Sequence, residues 1–205
     1  FKYHDTFYGI DFFSSLDDSV FINDNYFYEI STFLLEELNS WEILDLIDEI
    51  ENGGKIIFIR HALAPGGGDP ENFDISNCNT QRNLNEVGRK QAKQIGNFFN
   101  KEKIPIKEVI SSEWCRCKET ASIAFSEYKT EKFLNSFFSE KFKKNKNLQI
   151  KNLRSYIDKW DKKKNLILVT HYVVILEILD YAPSSGEIVV SDTNYKLIGS
   201  ISNIK

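Results

Sequence analysis

The sequence predicts an α/β fold, a three-layer α/β/α sandwich around a mainly parallel central sheet, and three observations carry that prediction. Two continuous apolar runs, Ile56 to Ile59 and Leu166 to Val169, have strand length and no polar alternation, as strands covered on both faces do. The stretches between them place apolar residues at helical spacing, as at Leu153, Ile157 and Trp160. Strands that alternate with helices of ten or more residues build βαβ units, with a parallel sheet and helices on both faces.

The chain of 205 residues is long enough to bury one substantial core, so one main domain is expected over residues 41–205. Residues 1–40, rich in Phe, Tyr, Asp and Ser, read as an N-terminal extension packed on it, with a short helix from Tyr26 to Leu38. Ser40 caps a helix whose apolar residues Trp41, Leu44, Ile47 and Ile50 recur every three, and Gly53-Gly54 ends it. Lys55 to Arg60 is the first strand, followed by a Pro/Gly-rich loop from Ala64 to Pro70. Val87, Ala92, Ile95 and Phe99 mark the next helix, and Glu108 to Ser111 the next strand. A helix from Glu113 to Phe125, a weak strand near Phe133 and an amphipathic helix ending near Trp160 continue the series. Leu166 to Thr170 is the strongest strand; a helix from Tyr172 to Tyr181 and strands near Ile188 to Val190 and Leu197 to Ile201 close it.

The bulk numbers exclude several classes. A net charge of −4 gives no global attraction to nucleic acid, although a local basic pocket is compatible with it. No apolar run approaches the roughly 20 residues a membrane span needs. With Phe1 first and no methionine anywhere, removal of a longer start is expected, by signal cleavage or by trimming. Cys78, Cys115 and Cys117 are too few for a disulfide-built scaffold or a four-ligand zinc site. One disulfide from Cys78 to the Cys115/Cys117 pair and three reduced thiols both remain open. Oligomeric state is not legible.

In parallel sheets ligands sit at the carboxyl ends of strands. Two of the three histidines, His61 and His171, stand there, and Arg60 immediately precedes His61. Arg116 opens the helix after the strand ending at Ser111. Neutral imidazole is a competent nucleophile near pH 7 and forms a phosphohistidine that water cleaves. Guanidinium matches phosphate oxygens as a planar fork and stays charged. His61 is therefore read as nucleophile, Arg60 and Arg116 as phosphate clamps, and His171 as a fourth contact. Arg82 is either a further phosphate ligand or the partner of an acid. Gly66 to Gly68 read as a flexible turn, since no Gly-Lys-Ser/Thr of a P-loop follows.

Ile57-Phe58-Ile59-Arg60-His61 resembles the signature of the histidine phosphatase superfamily, the phosphoglycerate mutase-like fold, with Ala62 where the family usually has glycine. Leu84 to Ala92, Ser111 to Arg116 and Val169-Thr170-His171 are similar to its helix-opening, second-arginine and second-histidine segments. Arg60-His61-Ala62-Leu63-Ala64-Pro65-Gly66, Gly68-Asp69-Pro70, Cys78 with Thr80 to Leu84, and Trp114-Cys115-Arg116-Cys117 look like a bacterial branch whose members often carry export signals. That resemblance implies a phosphatase rather than a mutase, favours a periplasmic location, and tilts the cysteines toward a disulfide.

It implies a metal-independent phosphomonoesterase acting on a small phosphorylated substrate, without a cofactor. The family's general acid commonly follows the weak central strand in a Leu-x-Glu setting, where this chain has Leu134-Asn135-Ser136. Glu140, one turn on, is the first candidate and Glu187 the second. A phosphohistidine phosphatase, whose leaving nitrogen needs less help, and a phosphate-binding module without turnover are the alternatives within the fold. A metal site is disfavoured, because neither histidine belongs to a His-x-His or His-Glu-x-x-His arrangement and the arginines repel a cation.

Overall fold

The computed structural model describes residues 43–202. The expected extension over 1–40, the helix near Tyr26 to Leu38 and the Ser40 cap lie outside the described residues. Helix α1 covers residues 43–51, and strand β1 (Ile56–Arg60) follows a turn in which Gly53 and Gly54 both have positive φ, +74° and +73°. A side chain at Gly53 would also strike the backbone of Lys163, so both conformation and space require glycine there.

Helix α2 (Glu86–Lys101) and strand β2 (Ile106–Ser111) come next, then helix α3 (Cys115–Phe125) and the two-residue strand β3 (Lys129–Thr130). Asn85 caps α2, its side chain accepting from the backbone N–H of Gly88. A short helix α4 (Glu140–Lys143) leads into α5 (Lys146–Asp158), followed by β4 (Asn165–Thr170) and α6 (Tyr172–Leu179). Strands β5 (Ile188–Ser191) and β6 (Leu197–Ile201) end the fold.

One six-stranded sheet has the order β3-β2-β4-β1-β5-β6. The first four strands pair in parallel and the last two antiparallel, so the sheet is mainly parallel as predicted. Side chains alternate across it. Ile57, Ile59, Ile167, Val169, Ile188 and Val190 face α1, α2 and α3 through Leu46, Ile50, Ile95, Phe99 and Ala121. Ile56, Phe58, Leu166, Leu168 and Val189 face α5 and α6 through Leu153, Ile157, Val174, Ile175 and Ile178. Two cores on either side of one sheet make the three layers.

Three local expectations are corrected. The weak strand near Phe133 is a 3-10 turn, Lys132–Leu134, and the edge strand lies three residues earlier at Lys129–Thr130. Phe133 and Leu134 are buried under α5, which explains an apolar signal without strand pairing. Val87 does not face the core of α2 but is 61% exposed. Helix α6 stops at Leu179, because Asp180 turns left-handed with φ 52°.

Candidate active site

The strand register brings the two histidines together. Arg60 pairs with Thr170 and Ile59 with Val169, so His61 and His171 leave neighbouring strands at the same level. The His61 N–H donates to Thr170 O at 2.9 Å, extending the ladder one residue beyond the strand. Their ring centroids are 5.4 Å apart. Arg116, on the first turn of α3, reaches both: Nε lies 3.2 Å from His61 Nε2, and Nη2 lies 3.5 Å from His171 Nδ1. All three side chains are buried.

His61 has one ring nitrogen committed. Nδ1 lies 2.8 Å from Ala62 O, which can only accept, so Nδ1 carries the hydrogen and Nε2 holds the lone pair. Burial, reinforced by the charge of Arg116, lowers the His61 pKa to about 3, so the ring is neutral at physiological pH. His171 is also held well below the usual histidine range, by burial and by Arg116. With Arg116 donating to its Nδ1, His171 carries its hydrogen on Nε2 and donates to Ser112 Oγ at 2.9 Å. Ser112 passes its own hydrogen to Asn135 Oδ1 at 3.0 Å. That chain fixes the His171 ring in one orientation.

Ala62 fits where the resemblance implies glycine. It is fully buried among Ala64, Leu84 and Ala92, has no left-handed φ, and its N–H donates to Thr120 Oγ1 at 3.0 Å. Thr120 in turn donates to Arg116 O at 2.7 Å, so the loop after His61 and the helix bearing Arg116 are tied at one point. Leu63 N–H donates to Gln91 Oε1 at 3.0 Å, and Gln91 donates to Ser185 O at 2.6 Å, bracing the same loop from α2.

Arg60 and Arg82 complete a cationic cleft of about 570 Å³ that also admits Gly66 to Glu71, Phe138, Lys141 and Tyr172. Arg60 Nη1 donates to Pro183 O at 2.7 Å, and its guanidinium lies 5.7 Å from the centroid of the Tyr172 ring. Arg82 Nη1 donates to Ala64 O at 2.6 Å and to Gly66 O at 2.5 Å. The Nε atoms of both arginines are buried without a hydrogen-bond partner among the described residues. Four cations and two carboxylates line a cleft in a chain whose net charge is −4. Guanidinium donors held in a concave, partly dehydrated site suit an oxyanion.

Of the predicted site residues, Arg60, His61, Arg82, Arg116 and His171 all line this cleft, and Glu140 does not. Glu140 sits on α4 with its side chain 85% exposed, paired with Lys143 at 3.0 Å. Glu187 is buried but receives Tyr181 OH at 2.5 Å and Ser184 N–H at 2.6 Å, which locks the turn before β5. Sequence reasoning missed Asp69. Its carboxylate accepts from Arg116 Nη1 at 2.7 Å and Nη2 at 3.2 Å, from Trp114 Nε1 at 3.1 Å and from Arg82 N–H at 3.0 Å. Burial works to raise its pKa, but the hydrogen bonds and charge of Arg116 outweigh burial and hold it below the ordinary value.

The cysteines resolve as a Cys78–Cys115 disulfide with Cys117 free and buried. The bridge fastens the loop before α2 to the first turn of α3, beside Arg116; Gln81 Oε1 accepts from Cys115 N–H at 2.9 Å in the same seam. Burial pushes the Cys117 thiol up to about 12, and its Sγ packs 3.5 Å from His171 Nε2. Among the described residues no group of three or more His, Cys, Asp or Glu side chains is placed to hold a metal ion. No described helix is long and apolar enough to cross a membrane.

Residues 56–151 match the family model of the histidine phosphatase superfamily (branch 1). That match spans 96 of the chain's 205 residues. No curated protein matches the chain. Solved structures of the same fold include the protein histidine phosphatase SixA in complex with tungstate, 14% identical with a TM-score of 0.50, covering 72% of this chain and 96% of SixA. Phosphoglycerate mutase from Thermus thermophilus is 12% identical with a TM-score of 0.50, covering 73% of this chain and 99% of its own. TTHB049 from the same organism is 13% identical with a TM-score of 0.51 and covers the same shares, 73% and 99%. These structures show the fold of the chain, and the cleft described above lies at the carboxyl ends of β1 and β4.

Proposed function

We propose that this histidine phosphatase domain hydrolyses small phosphate monoesters through a phosphohistidine on Nε2 of His61. The observation that carries the proposal is Arg116 placed between two buried, neutral imidazoles at the carboxyl ends of β1 and β4. Phosphoryl transfer needs little covalent work beyond a nucleophile, so positioning and charge stabilisation dominate. His61 Nε2 attacks phosphorus in line; the Nε2–P bond forms as the bond to the ester oxygen breaks. Arg60 and Arg116 bind the equatorial oxygens, whose negative charge they stabilise, and His171 joins them as a donor once its Nδ1, released by Arg116, takes up a proton beside the phosphoryl dianion. Water then attacks the phosphohistidine, the N–P bond breaks, and inorganic phosphate leaves with His61 neutral again.

A phosphohistidine protein substrate is the second reading, favoured by the position of Glu140 and Glu187 outside the cleft, since a leaving imidazole needs less protonation than an alkoxide. The Cys78–Cys115 bridge supports an oxidising compartment, in line with export. The test is a screen of sugar phosphates, aryl phosphates and a phosphohistidine protein, with and without EDTA, comparing the native protein with His61→Ala. Turnover that vanishes in the variant, and acid-labile, base-stable label on His61 of the native protein, are expected; full turnover by His61→Ala overturns the proposal.

A further inference from the structure

We infer that Asp69 is the general acid and base of this site, a reading that rests on the phosphohydrolase function proposed above. Among the residues lining the cleft the carboxylates are Asp69 and Glu71, and Asp69 is the one embedded in the phosphate-binding machinery. Arg116 sets the geometry. Its Nε edge faces His61 Nε2, and its two terminal nitrogens face the Asp69 carboxylate. A phosphoryl group seated on Arg116 therefore has the nucleophile toward one edge and Asp69 toward the other, which is where in-line displacement sends the leaving oxygen.

Entry of the substrate changes what Asp69 can do. While Arg116 donates to it, the carboxyl is ionised and has no proton to give. A phosphoryl dianion draws the guanidinium donors to its own oxygens and places negative charge beside Asp69; both changes favour the protonated carboxylic acid. Two neutral donors still hold it in place, Arg82 N–H on Oδ1 and Trp114 Nε1–H on Oδ2. The preceding glycines leave room for a small shift, since a Cβ at Gly67 or Gly68 would meet nothing within 4 Å.

The protons balance over the cycle. Asp69, protonated in the substrate complex, gives its proton to the ester oxygen as the P–O bond breaks and His61 becomes phosphorylated. The alcohol departs and Asp69 is left as carboxylate. It then takes a proton from the water that attacks phosphorus, so the acid is restored as the P–N bond breaks and phosphate forms.

The rival role is structural, with Asp69 only orienting Arg116, and leaving-group dependence separates the two. Native protein, Asp69→Asn, Asp69→Glu and His61→Ala are assayed on p-nitrophenyl phosphate, whose phenolate leaves unaided, and on β-glycerol phosphate, whose alkoxide requires a proton. Asp69→Asn is expected to lose about 10²–10⁴-fold in kcat on β-glycerol phosphate but less than about tenfold on p-nitrophenyl phosphate, with Asp69→Glu recovering part of the glycerol phosphate rate. Retained turnover of the aryl ester also reports that the variant is folded. Equal loss on both esters with no recovery in Asp69→Glu, or no loss on either, overturns the assignment of Asp69. A native protein inert towards both, or His61→Ala as active as the native protein, instead removes the phosphohydrolase reading and the acid with it.

Discussion

Arg116 Nε donates to His61 Nε2 at 3.2 Å, so the arginine caps the lone pair to which the proposed function assigns the attack on phosphorus. The same guanidinium is held from its other side by Asp69. On the function proposed above, a phosphoryl group exchanges both contacts for its own oxygens, which uncovers His61 Nε2 as it binds.

Replacing Arg116 therefore affects catalysis more than folding. Arg116→Lys keeps the charge but lacks the fork that spans His61, His171 and Asp69. Its turnover of p-nitrophenyl phosphate should fall about 10²–10³-fold, as for loss of one donor to a developing oxyanion, with thermal unfolding little changed. A variant within threefold of native activity would contradict the clamp role.

Acid stability should report the two buried histidines. Their folded pKa values lie below the unfolded value of 6.5, at about 3 for His61, so the unfolded chain takes up protons first as pH falls. Their neutral burial contributes fully above about pH 6.5 and is lost progressively below it, on the order of 1 kcal/mol per pH unit for each histidine. Urea unfolding between pH 7 and 4 should show this slope, and His61→Gln should make it shallower. Because the free-enzyme ring stays neutral, kcat/KM should show no loss centred at 6.5 assignable to His61; such a titration in an NMR spectrum of the His61 ring would contradict its burial.

Reduction of Cys78–Cys115 should lower stability and loosen the site together. The bridge closes a segment with a sequence separation of 37, for which the loop-entropy estimate is about 4 kcal/mol. Cys78→Ser should unfold at lower urea and bind vanadate more weakly, because the loop bearing Asp69 and Arg82 loses its tie to α3. Cys117→Ser should leave the bridge intact, as judged by migration on a non-reducing gel.

Gly88 is a packing constraint close to His61. A Cβ there would collide with the carbonyl of Leu63, two residues after His61, and backbone cannot swing aside as a side chain can. Gly88→Ala should cost about 1–3 kcal/mol in thermal or urea unfolding and reduce turnover by displacing the His61 loop. Unchanged stability and activity would show that α2 and this loop are less tightly coupled than their packing indicates.

Much of the site was legible because its signals are local. An apolar strand ending in Arg60-His61, and another ending in Thr170-His171, announce polar chemistry at the carboxyl edge of a parallel sheet, and Arg116 follows a third such strand. Glu140 illustrates the limit. Its distance along the chain from Leu134 fitted an acid placed one turn beyond a strand, but the strand is a 3-10 turn and α4 turns the carboxylate to solvent.

By itself the sequence determined the α/β layering, the strands carrying both histidines and the arginine that joins them, since apolar runs and helical periodicity encode burial directly. Only the tertiary structure decided that Cys78 bonds Cys115, that Val87 faces solvent, and that Asp69 closes on Arg116 across 47 positions of chain. Those outcomes depend on where loops return in space. A carboxylate between a glycine and a proline carries no local signal for the partner that the folded sheet brings to it.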